Sequence, residues 1–214
     1  MTFRSLLDSM LALLFPDRCA GCGRLGALLC TDCRTALVPY PADQRLPASL
    51  DGVRIAFIFQ SPLREAIHQL KYRRIRRMAQ PLGALLAAHA AASPLEVDAV
   101  LAIPLHASRL AERGFNQAEA LAREVAQALR LPMINDGLVR IRATEQQARL
   151  DARGRAENMH GAFHWQGAAA PRRILLVDDV FTTGATMSAC AEALRAAGAE
   201  SVHGLALARS RPDW

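Results

Sequence analysis

Ile174-Leu-Leu-Val-Asp178-Asp179, followed by Val-Phe and Thr182-Thr183-Gly184-Ala185-Thr186, is the segment of this chain with the clearest chemistry. It reads as an apolar strand ending in two acids, a loop of small residues, and the start of a helix. Gly184 and Ala185 leave room for backbone N–H groups to approach an anion, and the helix N-terminus adds partial positive charge. The hydroxyls of Thr182, Thr183 and Thr186 supply further donors. Asp178 and Asp179 accept only when ionised, which suits the 2′- and 3′-hydroxyls of a sugar. The ligand expected from this set is a ribose carrying a 5′-phosphate.

A second constellation is Cys19, Cys22, Cys30 and Cys33, spaced C-x2-C-x7-C-x2-C. Each C-x2-C turn brings two thiolates to one ion, and two turns complete a tetrahedral S4 set that Zn2+ accepts. Four thiolates leave no open position, so the expected role is structural. Two disulfides are the alternative, and a cytoplasmic location argues against them. Cys190, in an Ala-rich helix, is expected to be a buried apolar residue.

Of the net charge of +6, residues 64–77 carry +5: Arg64, Lys71, Arg73, Arg74, Arg76 and Arg77 against Glu65. Lys71 is the only lysine. An anionic partner is implied, with Lys71, Arg73, Arg74, Arg76 and Arg77 following a nucleic-acid backbone such as single-stranded DNA. A solvated helix face is the alternative. Aromatic residues are only 5% of the chain, which is poor for base stacking, and Tyr72 alone sits in the basic run. A composition of 51% hydrophobic and 21% charged residues excludes a disordered tail, a collagen-like repeat and a coiled coil.

The elements that must position these groups follow from periodicity. Residues 1–38 read as a helix, with Leu6, Met10, Leu13 and Leu14 near one face, followed by the four-cysteine knuckle. Residues 39–50, with three prolines, read as a linker. Residues 51–214 form the main domain, divided into a basic hood at 51–94 and a core at 95–214. Strands are expected at 53–59, 97–103, 173–177 and 202–208, and helices at 62–70, 78–92, 116–130 and 185–197. Residues 138–142 and 162–165 are expected to pair as strands around a polar, Arg-rich excursion. Strands alternating with helices predict an α/β, mostly parallel sheet covered on both faces. Asp8 interrupts the apolar N-terminal run and no cleavage-site pattern follows it. The uncharged stretch 78–95 is too weakly apolar to span a bilayer. A cytoplasmic chain without membrane insertion is expected.

The segment 174–186 resembles the phosphoribosyl-pyrophosphate (PRPP) motif of type I phosphoribosyltransferases. The rest of the chain extends the likeness: Phe15-Pro16-x-x-Cys19-x-x-Cys22, Lys71-Tyr72, Pro104-Leu105-His106-x-x-Arg109, Arg113-Gly114-Phe115-Asn116-Gln117-Ala118, Arg142-x-Thr144-x-x-Gln147 and Arg155-x-x-Asn158-x-x-Gly161-Ala162-Phe163, in that order. Together these resemble the ComF family of competence-associated proteins. That resemblance implies a type I phosphoribosyltransferase-like fold with an N-terminal zinc finger. It also implies a role in natural transformation or DNA utilisation, alongside a protein partner of the competence machinery. In such a fold Pro104, Leu105 and His106 occupy the pyrophosphate loop. Arg109 and Arg113 neutralise phosphate oxygens there, and Lys71 serves as a compact donor. Thr144 and Gln147 lie on a mobile loop that closes over ligand, beside Arg149, Arg153 and Arg155. Asn116 is expected to cap the helix that follows it.

The reading is a protein that binds PRPP, with Mg2+ on its pyrophosphate, or the phosphate end of a nucleotide. Two alternatives stand beside it. One is an active PRPP-dependent transferase acting on a nitrogenous base, although no residue declares itself a general base. The other is a regulator that senses PRPP without turnover.

Overall fold

The computed structural model describes residues 16–41, 47–73, 75–142 and 159–210. The expected N-terminal helix, Arg74, and the loop residues Thr144, Gln147, Arg149, Arg153, Arg155 and Asn158 lie outside the described residues.

Five strands form one parallel sheet: β1 (Gly52–Ile58), β2 (Ala99–Ala102), β3 (Met133–Ile134), β6 (Arg173–Phe181) and β7 (Ser201–Arg209), in the order β1-β7-β6-β2-β3. A separate antiparallel pair joins β4 (Leu138–Arg140) to β5 (Phe163–Trp165), as the sequence predicts. β6 is longer than the apolar run suggests. Its ladder continues through the acids, with Asp178 opposite Ala206 and Val180 opposite Ala208.

Period-two alternation divides the core into two layers. Leu175 and Val177 of β6 join Ala56, Val100 and Leu205 beneath α2 (Leu63–Tyr72), α3 (Ala79–Ala91) and α5 (Gln117–Leu129). Ile174 and Leu176 face the other way, with Ile55, Leu101 and Ala206, against α6 (Ala185–Ala196) and the β4–β5 pair. Both faces of the parallel sheet are therefore covered, which explains strands that read as unbroken apolar runs. Leu70, Leu82 and Leu121 are wholly buried, and truncating any one to Ala would cost about 2–5 kcal/mol.

The knuckle, which ends in the short helix α1 (Thr31–Thr35), packs into the first layer: Cys19, Leu29, Cys33 and Leu37 share its core with Leu63 and Ile67 of α2. A Cβ on Gly21 would lie 2.4 Å from Pro62 Cβ, so the knuckle meets the start of α2 in direct contact. Arg77, beyond the far end of α2, pairs with Asp17 at 2.9 Å. The segment after the knuckle lies along β1, with Ile58 N donating to Val38 O at 2.8 Å and Tyr40 N to Ala56 O at 3.1 Å.

Two helix starts shape the cleft side. α4 (Ala107–Arg113) begins at His106, whose Nδ1 accepts from Ser108 N at 3.3 Å. α5 begins at Asn116, whose side chain accepts from Ala118 N at 3.0 Å, the expected cap. Asn116 Nδ2 also donates to Ile103 O at 3.0 Å, tying the start of α5 to the end of β2.

Candidate functional site

The four knuckle sulfurs lie within 4.8 Å of one another, and Cys22 Sγ stands 3.6 Å from Cys30 Sγ. Thiolates on one zinc ion, each about 2.3 Å from it, sit about 3.8 Å apart, whereas a disulfide brings sulfurs to about 2.05 Å. The four cysteines are free, and the arrangement suits a metal rather than two disulfides. Burial acts to raise the Cys19 pKa. The N–H groups of Cys30, Cys22 and Gly21 outweigh it and bring the thiol down to about 6, favouring the thiolate that a metal requires. Burial, and then the neighbouring Cys19, Cys30 and Cys22 sulfurs, push the Cys33 thiol up. The set could hold one metal ion, with all four positions filled by protein.

The main cleft, about 490 Å³, opens at the carboxyl ends of β2 and β6. The chain runs from β2 to β3 on one side and from β6 to β7 on the other, so strand order reverses between β2 and β6. Ligands of open α/β sheets bind at this reversal. Lys71 and Tyr72 of α2 form one wall, Pro104, His106, Arg109 and Arg113 a second, and Asp178, Asp179, Thr182 and Thr186 the floor.

The acids diverge. Asp179 falls in the layer of Leu175 and Val177, and its side chain is 4% exposed. It forms an ion pair with Lys71 Nζ and accepts from Gln117 Nε2 at 3.4 Å. Gln117 Oε1 in turn accepts from Arg113, whose guanidinium stands 5.6 Å over the Tyr72 ring. Lys71, Asp179, Gln117, Arg113 and Tyr72 thus form a closed circuit. Burial acts against both charges of the ion pair. Their mutual attraction prevails, holding Asp179 below and Lys71 above their ordinary pKa values. Asp178 follows Leu176 to the opposite layer, where burial, and then the Asp179 charge, push its carboxyl well above the usual range. Arg140 of β4 approaches from that side, and burial lowers its pKa.

The loop after β6 is a backbone device. Gly184 has φ +84°, and a Cβ there would meet Phe181 and Pro47 side-chain atoms at 2.6 and 2.8 Å. Thr183 Oγ1 accepts from Ala185 N at 3.4 Å. The first intrahelical bond of α6 runs from Ser188 N to Gly184 O at 2.8 Å. The N–H groups ahead of it are those a helix start leaves to a cap or an anion.

The family described as phosphoribosyl transferase domain matches residues 71–213. DNA utilization protein YhgH of Escherichia coli (strain K12) is 32% identical over 197 residues, 90% of this chain and 84% of that protein. Competence protein F of Haemophilus influenzae is 34% identical over 116 residues, covering 53% of this chain and 51% of that protein. Competence protein ComFC of Streptococcus pneumoniae is 36% identical over 110 residues, covering 50% and 46%. The chain belongs to the ComF family.

In this ComF-family chain the cleft gathers Lys71, Pro104, Leu105, His106, Arg109, Arg113, Asp178, Asp179, Thr182 and Thr186. Thr182 and Thr186 line the cleft, and Thr183, Gly184 and Ala185 form the turn between them. His106, expected as a ligand group, also caps α4 and bonds Ser108 Oγ at 2.8 Å. Lys71 departs from the rest of the basic patch. Its side chain is 18% exposed and faces Asp179, whereas Arg73, Arg76 and Arg77 are exposed outside the cleft. Arg76 stacks over Phe115 at 5.1 Å.

Sequence reasoning missed Arg140, Phe59 and His68 of the cleft wall. Arg140 carries no contrast in a chain whose cations are nearly all arginine. Phe59, His68 and Tyr72 form an aromatic run, with ring centroids 6.4 and 5.4 Å apart. The spacing of His68 and Tyr72, four residues apart on one helix, was the available signal. Among the described residues, no helix of the ComF-family chain is long and apolar enough to cross a membrane.

Proposed function

We propose that this chain binds a ribose 5-phosphate ligand, PRPP or the phosphate end of a nucleotide, in the cleft between α2 and the end of β6. The observation that carries this reading is the β6–α6 turn. An acid-bearing strand end, a positive-φ glycine and a helix start converge on one cleft at the strand-order reversal. The 5′-phosphate would lie at the start of α6, with Thr182 and Thr186 beside it. The diol would lie toward Asp178. Arg109 and Arg113 would meet the remaining anionic oxygens bidentately. Mg2+ would neutralise pyrophosphate charge when PRPP is the ligand. Catalysis, if it accompanies binding, would rest on placement and charge stabilisation.

In the cell the chain serves DNA utilisation or competence, as the names of its relatives suggest, acting in the cytoplasm, and Cys19, Cys22, Cys30 and Cys33 hold a structural zinc. A protein of the competence machinery is the expected partner. A further observation favours contact with single-stranded DNA. Tyr72 is 66% exposed at the cleft mouth, and exposed Arg73, Arg76 and Arg77 follow it in the chain. A strand lying along these cations would present its terminal nucleotide to the cleft.

The deciding experiment titrates PRPP with Mg2+ and a single-stranded oligonucleotide separately, then in competition. Saturable PRPP binding that an oligonucleotide displaces supports one shared pocket. No PRPP binding by zinc-loaded protein overturns the reading.

A further inference from the structure

We propose that Arg209 is a positioning residue for the β6–α6 turn: its guanidinium bridges Tyr40 and Phe181, and through Phe181 it fixes the backbone at Gly184. The inference rests on the ribose-phosphate reading for what the turn holds. The contacts it invokes stand independently of that reading.

β1, β7 and β6 end in one row, with Ile58 opposite Arg209 and Arg209 opposite Phe181. Phe59 N donates to Arg209 O at 2.7 Å, which ties the backbone of Arg209 to the end of β1. The Arg209 guanidinium stands 5.0 Å from the centre of the Phe181 ring and 5.7 Å from that of the Tyr40 ring. A cation this near an aromatic face is attracted by the ring quadrupole. Phe181 is buried, and a Cβ on Gly184 would fall 2.6 Å from its ring, so the ring lies directly against the turn. Tyr40, Phe181 and Arg209 all stand outside the cleft lining, so they act on the turn and not on a ligand.

A second contact reaches the turn from residues 47–50. Pro47 meets the same Gly184 position, Ser49 Oγ and Ser188 Oγ of α6 stand 2.6 Å apart, and Arg195 Nε donates to Ser49 O at 3.1 Å. The stretch expected as a linker therefore reaches the turn at both of its described ends, once through Arg209 and Phe181 and once directly. A turn held in shape before the ligand arrives gives up little freedom on binding.

Thr183-Gly184 is the only Thr-Gly pair in the chain, which makes the test direct. Isotope labels on threonine carbonyls and glycine amides together select one NMR signal, the Gly184 amide. Arg209→Met should move that signal and weaken ribose 5-phosphate binding about tenfold. Tyr40→Leu should do both to a smaller extent and add nothing to Arg209→Met. Tyr40→Phe keeps the ring and should leave both as in wild type. A merely structural Arg209 would lower the melting temperature while the folded variant kept its Gly184 signal and its affinity, and that result overturns the proposal. A moved signal with unaltered affinity overturns it as well. If wild type does not bind ribose 5-phosphate, the ribose-phosphate reading fails, and the Gly184 signal alone judges the hold of Arg209 on the turn. Should Arg209→Met not fold, Tyr40→Leu decides: a moved signal with weakened binding supports the assignment, and an unchanged signal overturns it.

Discussion

Asp178 and Asp179 are neighbours in the chain, yet they stand on opposite sides of β6, one toward Arg140 and the other in an ion pair with Lys71. Their environments separate them chemically. Burial, reinforced by the Asp179 charge, raises Asp178, while Lys71 keeps Asp179 ionised against burial.

A pH dependence follows. Asp178 accepts from sugar hydroxyls best as a carboxylate, and its pKa lies above the ordinary value of about 3.9. PRPP affinity should therefore rise with pH as Asp178 loses its proton. Ligand phosphates titrate as well, so the informative quantity is the difference from Asp178→Asn. Calorimetry from acid to neutral pH should show an extra rise in wild type that the variant lacks. Parallel profiles would remove Asp178 from the site.

Thr183→Val keeps the shape of the β6–α6 turn and removes a donor to a charged oxygen. That bond is worth about 1.5–3 kcal/mol, so PRPP affinity should fall roughly ten- to a hundredfold. Because Thr183 Oγ1 also accepts from Ala185 N, thermal melting of the variant separates a loss of capping from a loss of binding. Unchanged affinity in a folded variant would place the phosphate elsewhere.

Gly184→Val tests the backbone. A Cβ at φ +84° is strained whatever its surroundings, and here it also meets Phe181 and Pro47. The expected cost is about 1–3 kcal/mol. A lowered urea midpoint at constant slope would register it, and an unaltered midpoint would contradict the turn as described.

Purified under reducing conditions, the protein should carry one zinc per chain, read by elemental analysis. Cys30→Ser should lower that content. Because Cys19 and Cys33 share a core with α2, the loss should also lower the melting temperature of the main domain. Metal-free protein with an unaltered melting curve would make the cysteines dispensable.

Neutralising Arg73 and Arg77 together should weaken single-stranded DNA binding across sequences. The salt slope should drop by roughly 0.7 per lost phosphate contact. Lys71→Met, inside the cleft, should alter PRPP binding more than the slope. Salt titrations showing no change in the double variant would return the patch to a solvated face.

Much of the architecture was legible because burial leaves local traces. The apolar run at 174–177 announces a strand covered on both faces, and Gly198 stops α6 in a positive-φ conformation (φ +99°). α4 left no such trace: none of its residues is buried, so Ala107–Arg113 carries no apolar stripe. β6 extends past its apolar run because backbone pairing with β7 does not depend on side-chain polarity. At the site, the loop chemistry was readable from types and spacing. The pairing of Lys71 with Asp179 was not, since contacts between distant positions leave no mark on local periodicity. The uniqueness of Lys71 pointed to a special role without naming its partner.

Residues 38–40, where the expected knuckle unit passes into the expected linker, lie as an antiparallel strip along β1, with Pro39 bridged to Phe57. β3, at the opposite margin, has only two residues. An open sheet margin is a template on which further chains can stack into aggregates. Here one margin is capped by the chain itself and the other is too short to recruit a neighbour. Trimming the N-terminal segment to isolate the cleft domain would uncover the Ala56–Ile58 end of β1 and invite self-association, so the segment that leads away from the four cysteines also keeps the sheet solitary.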